Sequence, residues 1–151
     1  MSRKTIGILS RECGVKVTTI RYYESIGLIE EPERTQSGQR IYDFSAVERL
    51  NFIRHARGLG FSIESIRDLI DLQERPASDC AVVDKIARQH LADVRQRLSQ
   101  LEALEAELKR MVSGCEGGKI ADCEILNSLD NHQKCLDEHG SMKTSLADKS
   151  L

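Results

Sequence analysis

The chain has no tryptophan, only 4% aromatic residues and 30% charged residues over 151 positions. Such a composition supplies one small core and leaves much of the chain as extended, solvated helix. No stretch approaches the length of a membrane span, and the opening MSRKTIGIL has no apolar signal run, so a cytoplasmic protein with no membrane partner is expected. A net charge of only −2 argues against a nonspecific polyanion binder. In a reducing setting the five cysteines are poor disulfide candidates, and their odd number leaves at least one unpaired. Metal binding or redox sensing is the better first hypothesis. The loop that carries two of them lacks the four clustered cysteines of an iron–sulfur site, and no base is positioned for a thiol enzyme, with His55 in the first half and His90 on a helix.

The charge is unevenly spread. Residues 1–60 carry ten Lys/Arg against seven Asp/Glu, a balance of +3, and residues 76–151 carry ten against thirteen, a balance of −3. A mildly basic head on an acidic stalk suits a DNA-binding domain joined to a domain with another job.

In the head, Ile6, Leu9, Val15, Ile20 and Ile26 recur at helical spacing, broken at Cys13-Gly14-Val15, where glycine permits a tight turn between two short helices. Val17-Thr18-Thr19 is expected to cap and start the second helix, leaving Thr18, Arg21 and Tyr22 near its exposed N-terminal face, where side chains can enter a major groove. Spacing alone fits an ordinary helical hairpin equally well. Downstream, Pro32, Thr35-Gln36-Ser37-Gly38 and Gln39-Arg40-Ile41-Tyr42 predict a turn between two extended segments, with Arg40 and Tyr42 on one face and within reach of phosphate oxygens. Val47, Leu50 and Ile53 start a further helix broken at Gly58 and Gly60. Ser62-Ile63-Glu64-Ser65 reads as a capped restart that turns Ile66, Leu69, Ile70 and Leu72 inward, and Cys13 is expected to fill an apolar slot.

A second pattern follows. Ala81 to Val112 reads as one long helix in which Ala87, Leu91, Val94, Leu98, Leu101, Leu108 and Val112 alternate in steps of four and three, with Glu105 at the one interruption. A coiled-coil seam this long in so small a chain needs a second copy of itself. Cys80 precedes the helix; Cys115 and Cys123 follow it with seven residues between them, among three glycines and before a short apolar helix from Glu124 to Leu129. A helix of that length spans roughly 48 Å at about 1.5 Å per residue, so Cys80 and Cys115 of one chain cannot meet. Antiparallel pairing puts Cys80 of one chain beside Cys115 and Cys123 of the other; parallel pairing puts Cys80 beside Cys80. Thiolates prefer soft cations, and glycines let backbone amides wrap closely around a buried ion. Further on, His132, Cys135 and His139 fall at i, i+3, i+7, a candidate auxiliary metal set, in a polar stretch that reads more simply as a flexible tail.

The segments Ile6-Gly7 through Gly14-Val15, Thr19-Ile20-Arg21-Tyr22-Tyr23-Glu24, Gly27-Leu28, Gly38-Gln39-Arg40-Ile41-Tyr42 and Ala56-Arg57-Gly58-Leu59-Gly60-Phe61-Ser62 together resemble the winged-helix head of the MerR family of transcriptional regulators. The resemblance implies a mostly α fold: a winged helix-turn-helix head over residues 1–75, an antiparallel coiled-coil dimerisation helix over 76–112, and a metal-binding loop and short helix over 113–130, followed by the tail at 131–151. It implies contacts to double-stranded promoter DNA from Thr18, Arg21, Tyr22, Arg40, Tyr42 and Arg57, with RNA polymerase as a further partner. Gln39 departs from the family, which often has a wing tyrosine there. Cys80, Cys115 and Cys123 are the implied metal ligands in a homodimer. Cysteine at position 80 points to a divalent soft ion such as Cd, Pb, Hg or Zn, since the family's sensors of monovalent ions usually carry serine there. The seven-residue gap resembles the copper-sensor loop and keeps Cu(I) or Ag(I) as the alternative. Glu116, directly after Cys115, replaces the second member of the adjacent cysteine pair found in the zinc sensors.

Overall fold

The computed structural model describes residues 3–115 and 117–130. It is mostly helical, as expected. A short strand β1 (Lys4–Thr5) leads into α1 (Ile6–Cys13) and α2 (Val17–Ser25), followed by β2 (Glu33–Arg34), β3 (Arg40–Tyr42), α3 (Phe44–Gly58), α4 (Ile63–Gln73) and the long α5 (Ala81–Ser113). A single 3-10 turn (Ile120–Asp122) precedes α6 (Glu124–Asp130). The chain forms two compact units, one of residues up to Ile86 and one from Ala87 onward.

In the first unit Gly14 ends α1 with φ +64, a left-handed conformation that costs a side-chain-bearing residue roughly 1–2 kcal/mol. The turn lets Leu9 and Cys13 of α1 face Ile20 and Tyr23 of α2 in one core with Leu28, Ile29, Tyr42, Leu50, Ile53, Ala56, Ile66 and Ile70. Each fully buried aliphatic side chain there contributes about 1.5–3 kcal/mol over leaving it in water. Cys13 fills the slot expected of it and is fully buried; burial, then the neighbouring Glu12 carboxylate, pushes its thiol pKa up.

The helix starts differ in how they are capped. Val17 does begin α2, but Lys16 holds the cap position and offers no side-chain acceptor, so the cap expected from Thr18 or Thr19 is not made. Asp43 caps α3 by accepting from the Ala46 amide at 3.2 Å, and Ser62 caps α4 by accepting from Ser65 at 3.1 Å. The strands form an antiparallel sheet in the order β1-β3-β2, pairing Lys4 with Tyr42 and Arg34 with Arg40. Of these, β1 goes beyond the two extended segments expected from the sequence. The wing turn closes through Gly38, whose amide donates to the Thr35 carbonyl at 2.8 Å, and exposed Gln39 donates its own amide to Thr35 Oγ1 at 3.0 Å.

The second unit contains most of α5, the loop and α6. Its seam residues Leu91, Leu98, Leu101, Leu108 and Val112 are 46% to 65% exposed in the single chain. Met111 and Glu107 are buried, the latter held by Arg110 through two contacts at 3.2 and 2.5 Å. No helix among the described residues is long and apolar enough to cross a membrane.

Candidate nucleic-acid interface and thiol ligands

The 3.6-residue period of α2 buries Ile20 and Tyr23 and thereby turns Thr18, Arg21 and Tyr22 outward. All three are exposed, with the Tyr22 ring centroid 5.9 Å from that of Tyr23. The far end of α2 is tied down. Arg67, on α4, donates from Nη2 to the carbonyl of Ile26 at 2.6 Å, meeting one of the carbonyls that a helix C-terminus leaves unpaired. An exposed polar edge on a helix held at its end is suited to groove entry.

The wing differs from its sequence reading. Tyr42, expected beside Arg40 on a phosphate-facing surface, is only 2% exposed and sits in the core, where its hydroxyl donates to Glu24 Oε1. Burial, reinforced by the Glu24 hydrogen bond and charge, raises the Tyr42 pKa, so the hydroxyl keeps its proton and its role as donor. A side chain so enclosed holds the wing in place and does not present a donor outward. Arg40 is half-buried, and its Nε donates to the other Glu24 oxygen at 3.1 Å. Arg57 is half-buried too and donates from Nη1 to the Phe61 carbonyl at 2.9 Å, which braces the turn between α3 and α4. Glu24 thus joins β3 to α2, a contact that pattern reading misses. Its signal is a lone carboxylate closing the run Arg21-Tyr22-Tyr23-Glu24 in a basic head.

Two of the candidate thiols stand where helices begin. The Cys80 carbonyl accepts from the Asp84 amide at 3.0 Å, and Asp79 Oδ1 accepts from the Ala81 amide at 2.9 Å, so Cys80 is exposed at the first turn of α5. Cys123 is half-buried and its carbonyl accepts from the Asn127 amide at 3.0 Å, the same place relative to α6. Cys115 is exposed and donates its amide to the Val112 carbonyl at 3.1 Å, on the last turn of α5. Gly117 and Gly118 both adopt positive φ, which gives the loop its sharp course between the two thiols. Cys80 belongs to the first unit, and Cys115 and Cys123 to the second. Among the described residues of one chain, no three His, Cys, Asp or Glu side chains are gathered for a metal ion. His132, Cys135 and His139 lie outside the described residues, as do Glu116 and the rest of the expected tail.

The chain is similar to known proteins over most of its length. Residues 4–73 match the family model described as MerR HTH family regulatory protein, and residues 47–111 match the one described as MerR, DNA binding. A probable heavy metal-dependent transcriptional regulator of Haemophilus influenzae is 40% identical over 116 residues, covering 77% of this chain and 91% of that protein. The mercuric resistance operon regulatory protein of Bacillus cereus is 36% identical over 125 residues, covering 82% and 95%. Among solved structures, the transcription regulator PbrR691 from Ralstonia metallidurans CH34, in complex with lead(II), superimposes with a TM-score of 0.74 at 38% identity, covering 83% of this chain and 98% of that one.

Proposed function

Since the chain belongs to the MerR family of helix-turn-helix transcriptional regulators and is not an enzyme, we propose that it is a homodimeric, heavy metal-dependent regulator of a promoter, sensing a divalent soft ion through Cys80, Cys115 and Cys123. The observation that carries this reading is the disposition of the thiols: two exposed and one half-buried, at the two ends of α5 and the start of α6, none of them buried as Cys13 is. Thiols that serve only packing are enclosed; ligands must be reachable.

The exposed apolar seam on α5 supports a second copy as its cover. In an antiparallel pair, Cys80 of one chain completes the set begun by Cys115 and Cys123 of the other. Three soft sulfurs fit Cd(II), Pb(II) or Hg(II), and zinc would take a fourth ligand such as water or a tail histidine, His132. The relatives' own descriptions, heavy metal-dependent, mercuric and lead-bound, favour the same class of ion.

DNA is met by Thr18, Arg21 and Tyr22 of α2, with Arg40 and Arg57 beside them. A bound ion supplies the bonds that tie the loop to a second chain. To act as a switch it must favour one conformation of the DNA-bound dimer by differential affinity, since equal affinity for both shifts nothing. The favoured conformation distorts the promoter so that RNA polymerase can engage it, which turns a repressor into an activator. A second reading, Cu(I) or Ag(I) sensing, is favoured by one observation: Cys115 and Cys123 lie in the same unit and suffice for a linear ion.

Subunit mixing tests the shared site. Co-refolding a Cys80→Ser chain with a Cys115→Ser/Cys123→Ser chain gives heterodimers with one intact three-thiol set, while neither mutant homodimer has one. Heterodimers isolated with two different affinity tags are expected to bind Cd(II) at one site per dimer. Cd(II) affinity no better than that of the two homodimers sinks the trans arrangement.

A further inference from the structure

The side chain of Glu24 is only 10% exposed, yet it stands at the end of the recognition helix, beside the wing. Both carboxylate oxygens are spent on β3: Oε2 accepts from Arg40 Nε at 3.1 Å and Oε1 accepts from the Tyr42 hydroxyl. Because β3 is the central strand, bonded to β1 through Tyr42 and to β2 through Arg40, fixing it fixes the whole wing. Arg40 keeps 31% of its side chain exposed, and its pairing with Glu24 uses Nε, leaving both terminal nitrogens of the guanidinium.

We propose that Glu24 is a positioning residue for DNA binding, which docks the wing strand on the recognition helix and anchors Arg40 by Nε so that its terminal nitrogens are aimed at a phosphate. The proposal rests on the reading of the wing as a DNA contact. A carboxylate is needed because it accepts at both oxygens, and both partners are donors. Arginine is needed because its rigid fork can be held at one nitrogen and bond at the others, whereas lysine has a single point of charge.

The salt dependence of binding separates positioning from mere stability, because it counts phosphates neutralised. Each lost phosphate contact lowers the slope of log affinity against log salt by about 0.9, so losing one from each of two wings lowers it by about 1.8. The full-length dimer is titrated over a salt series with a duplex selected on the wild-type protein from a random-sequence pool. Arg40→Ala and Glu24→Ala are each expected to lower the slope by that amount and to weaken binding at least tenfold. The double variant is expected to be no worse than either single one, since both remove the same contact.

A Glu24→Ala protein with the wild-type slope, or with a loss that adds to that of Arg40→Ala, overturns the positioning role. An unchanged slope for Arg40→Ala instead overturns the wing reading beneath it. If Glu24→Ala fails to fold, Arg40→Lys carries the test without opening the core. It is expected to show the slope of Arg40→Ala, because its ammonium is taken up by Glu24, and a wild-type slope for it refutes the proposal.

Discussion

Replacing Gly14 by alanine tests the turn that sets α2 on α1. The φ of +64 there is a conformation in which a Cβ crowds the following carbonyl, at a cost of roughly 1–2 kcal/mol. The added methyl would also lie 3.2 Å from Arg54 Cζ and 3.3 Å from its Nη1, but that guanidinium is the far end of an exposed side chain and can swing aside at little cost. Against this stands the entropy that alanine removes from the unfolded chain, about 0.4–1 kcal/mol in favour of folding. The net expectation is a loss of about 1 kcal/mol, or about 4–8 °C for a cooperative unit of roughly 60–100 residues. Thermal unfolding followed by circular dichroism, at one fixed protein concentration because a dimer's midpoint depends on it, reads the difference. Gly14→Asn serves as the control and is expected between alanine and wild type, because asparagine tolerates the left-handed region. The sign of the shift is decisive: were the backbone at residue 14 relaxed into negative φ, only the unfolded-state term would remain, and Gly14→Ala would melt at or above the wild-type temperature.

Two further predictions concern the ligands. Arg21→Ala is expected to weaken binding to the selected duplex by about 1–3 kcal/mol at fixed salt, with Cd(II) affinity unchanged, and an unchanged gel-shift midpoint removes Arg21 from the interface. Cys80→Ser is expected to abolish the promoter response to Cd(II) and Pb(II) while DNA binding persists and any Cu(I) response survives on Cys115 and Cys123; a variant still activated by Cd(II) at wild-type concentrations makes the monovalent reading the leading one.

The helices are legible in the sequence because their determinants are local. Apolar spacing places Leu9, Ile20, Leu50, Ile53, Ile66 and Ile70 on inward faces, and all six are buried. The serine cap of α4 and the glycine at the turn of α1 act within a few residues of themselves, so their effects can be read directly. The uninterrupted run from Ala81 has no proline or glycine before Gly114 to end it, and α5 runs to Ser113. Where local signals are weak, elements escape. β1 is two residues long and exists only because β3 offers it an edge, which no pattern in Lys4-Thr5 announces.

Tyr42 shows where pattern reading fails at the site itself. Alternation along β3 correctly groups Arg40 with Tyr42, since residues two apart share a face of a strand. It does not say which face the core takes. The presence of arginine suggests an outward face, an inference that treats charge as a marker of solvent. In the folded head the charge of Arg40 is met by Glu24 from another element, so an arginine can lie against a protein surface and bring its neighbour into the core with it. The deciding residue is sixteen positions upstream of Arg40 and eighteen upstream of Tyr42, on a helix whose own periodicity gives no reason to orient its last carboxylate toward a strand. The wing's face is therefore set by a tertiary hydrogen-bonding requirement: a carboxylate held 10% exposed must find donors, and β3 supplies two of them. The same logic makes the mismatch informative, because the position in the wing where local pattern and fold disagree is where α2 and the wing are joined.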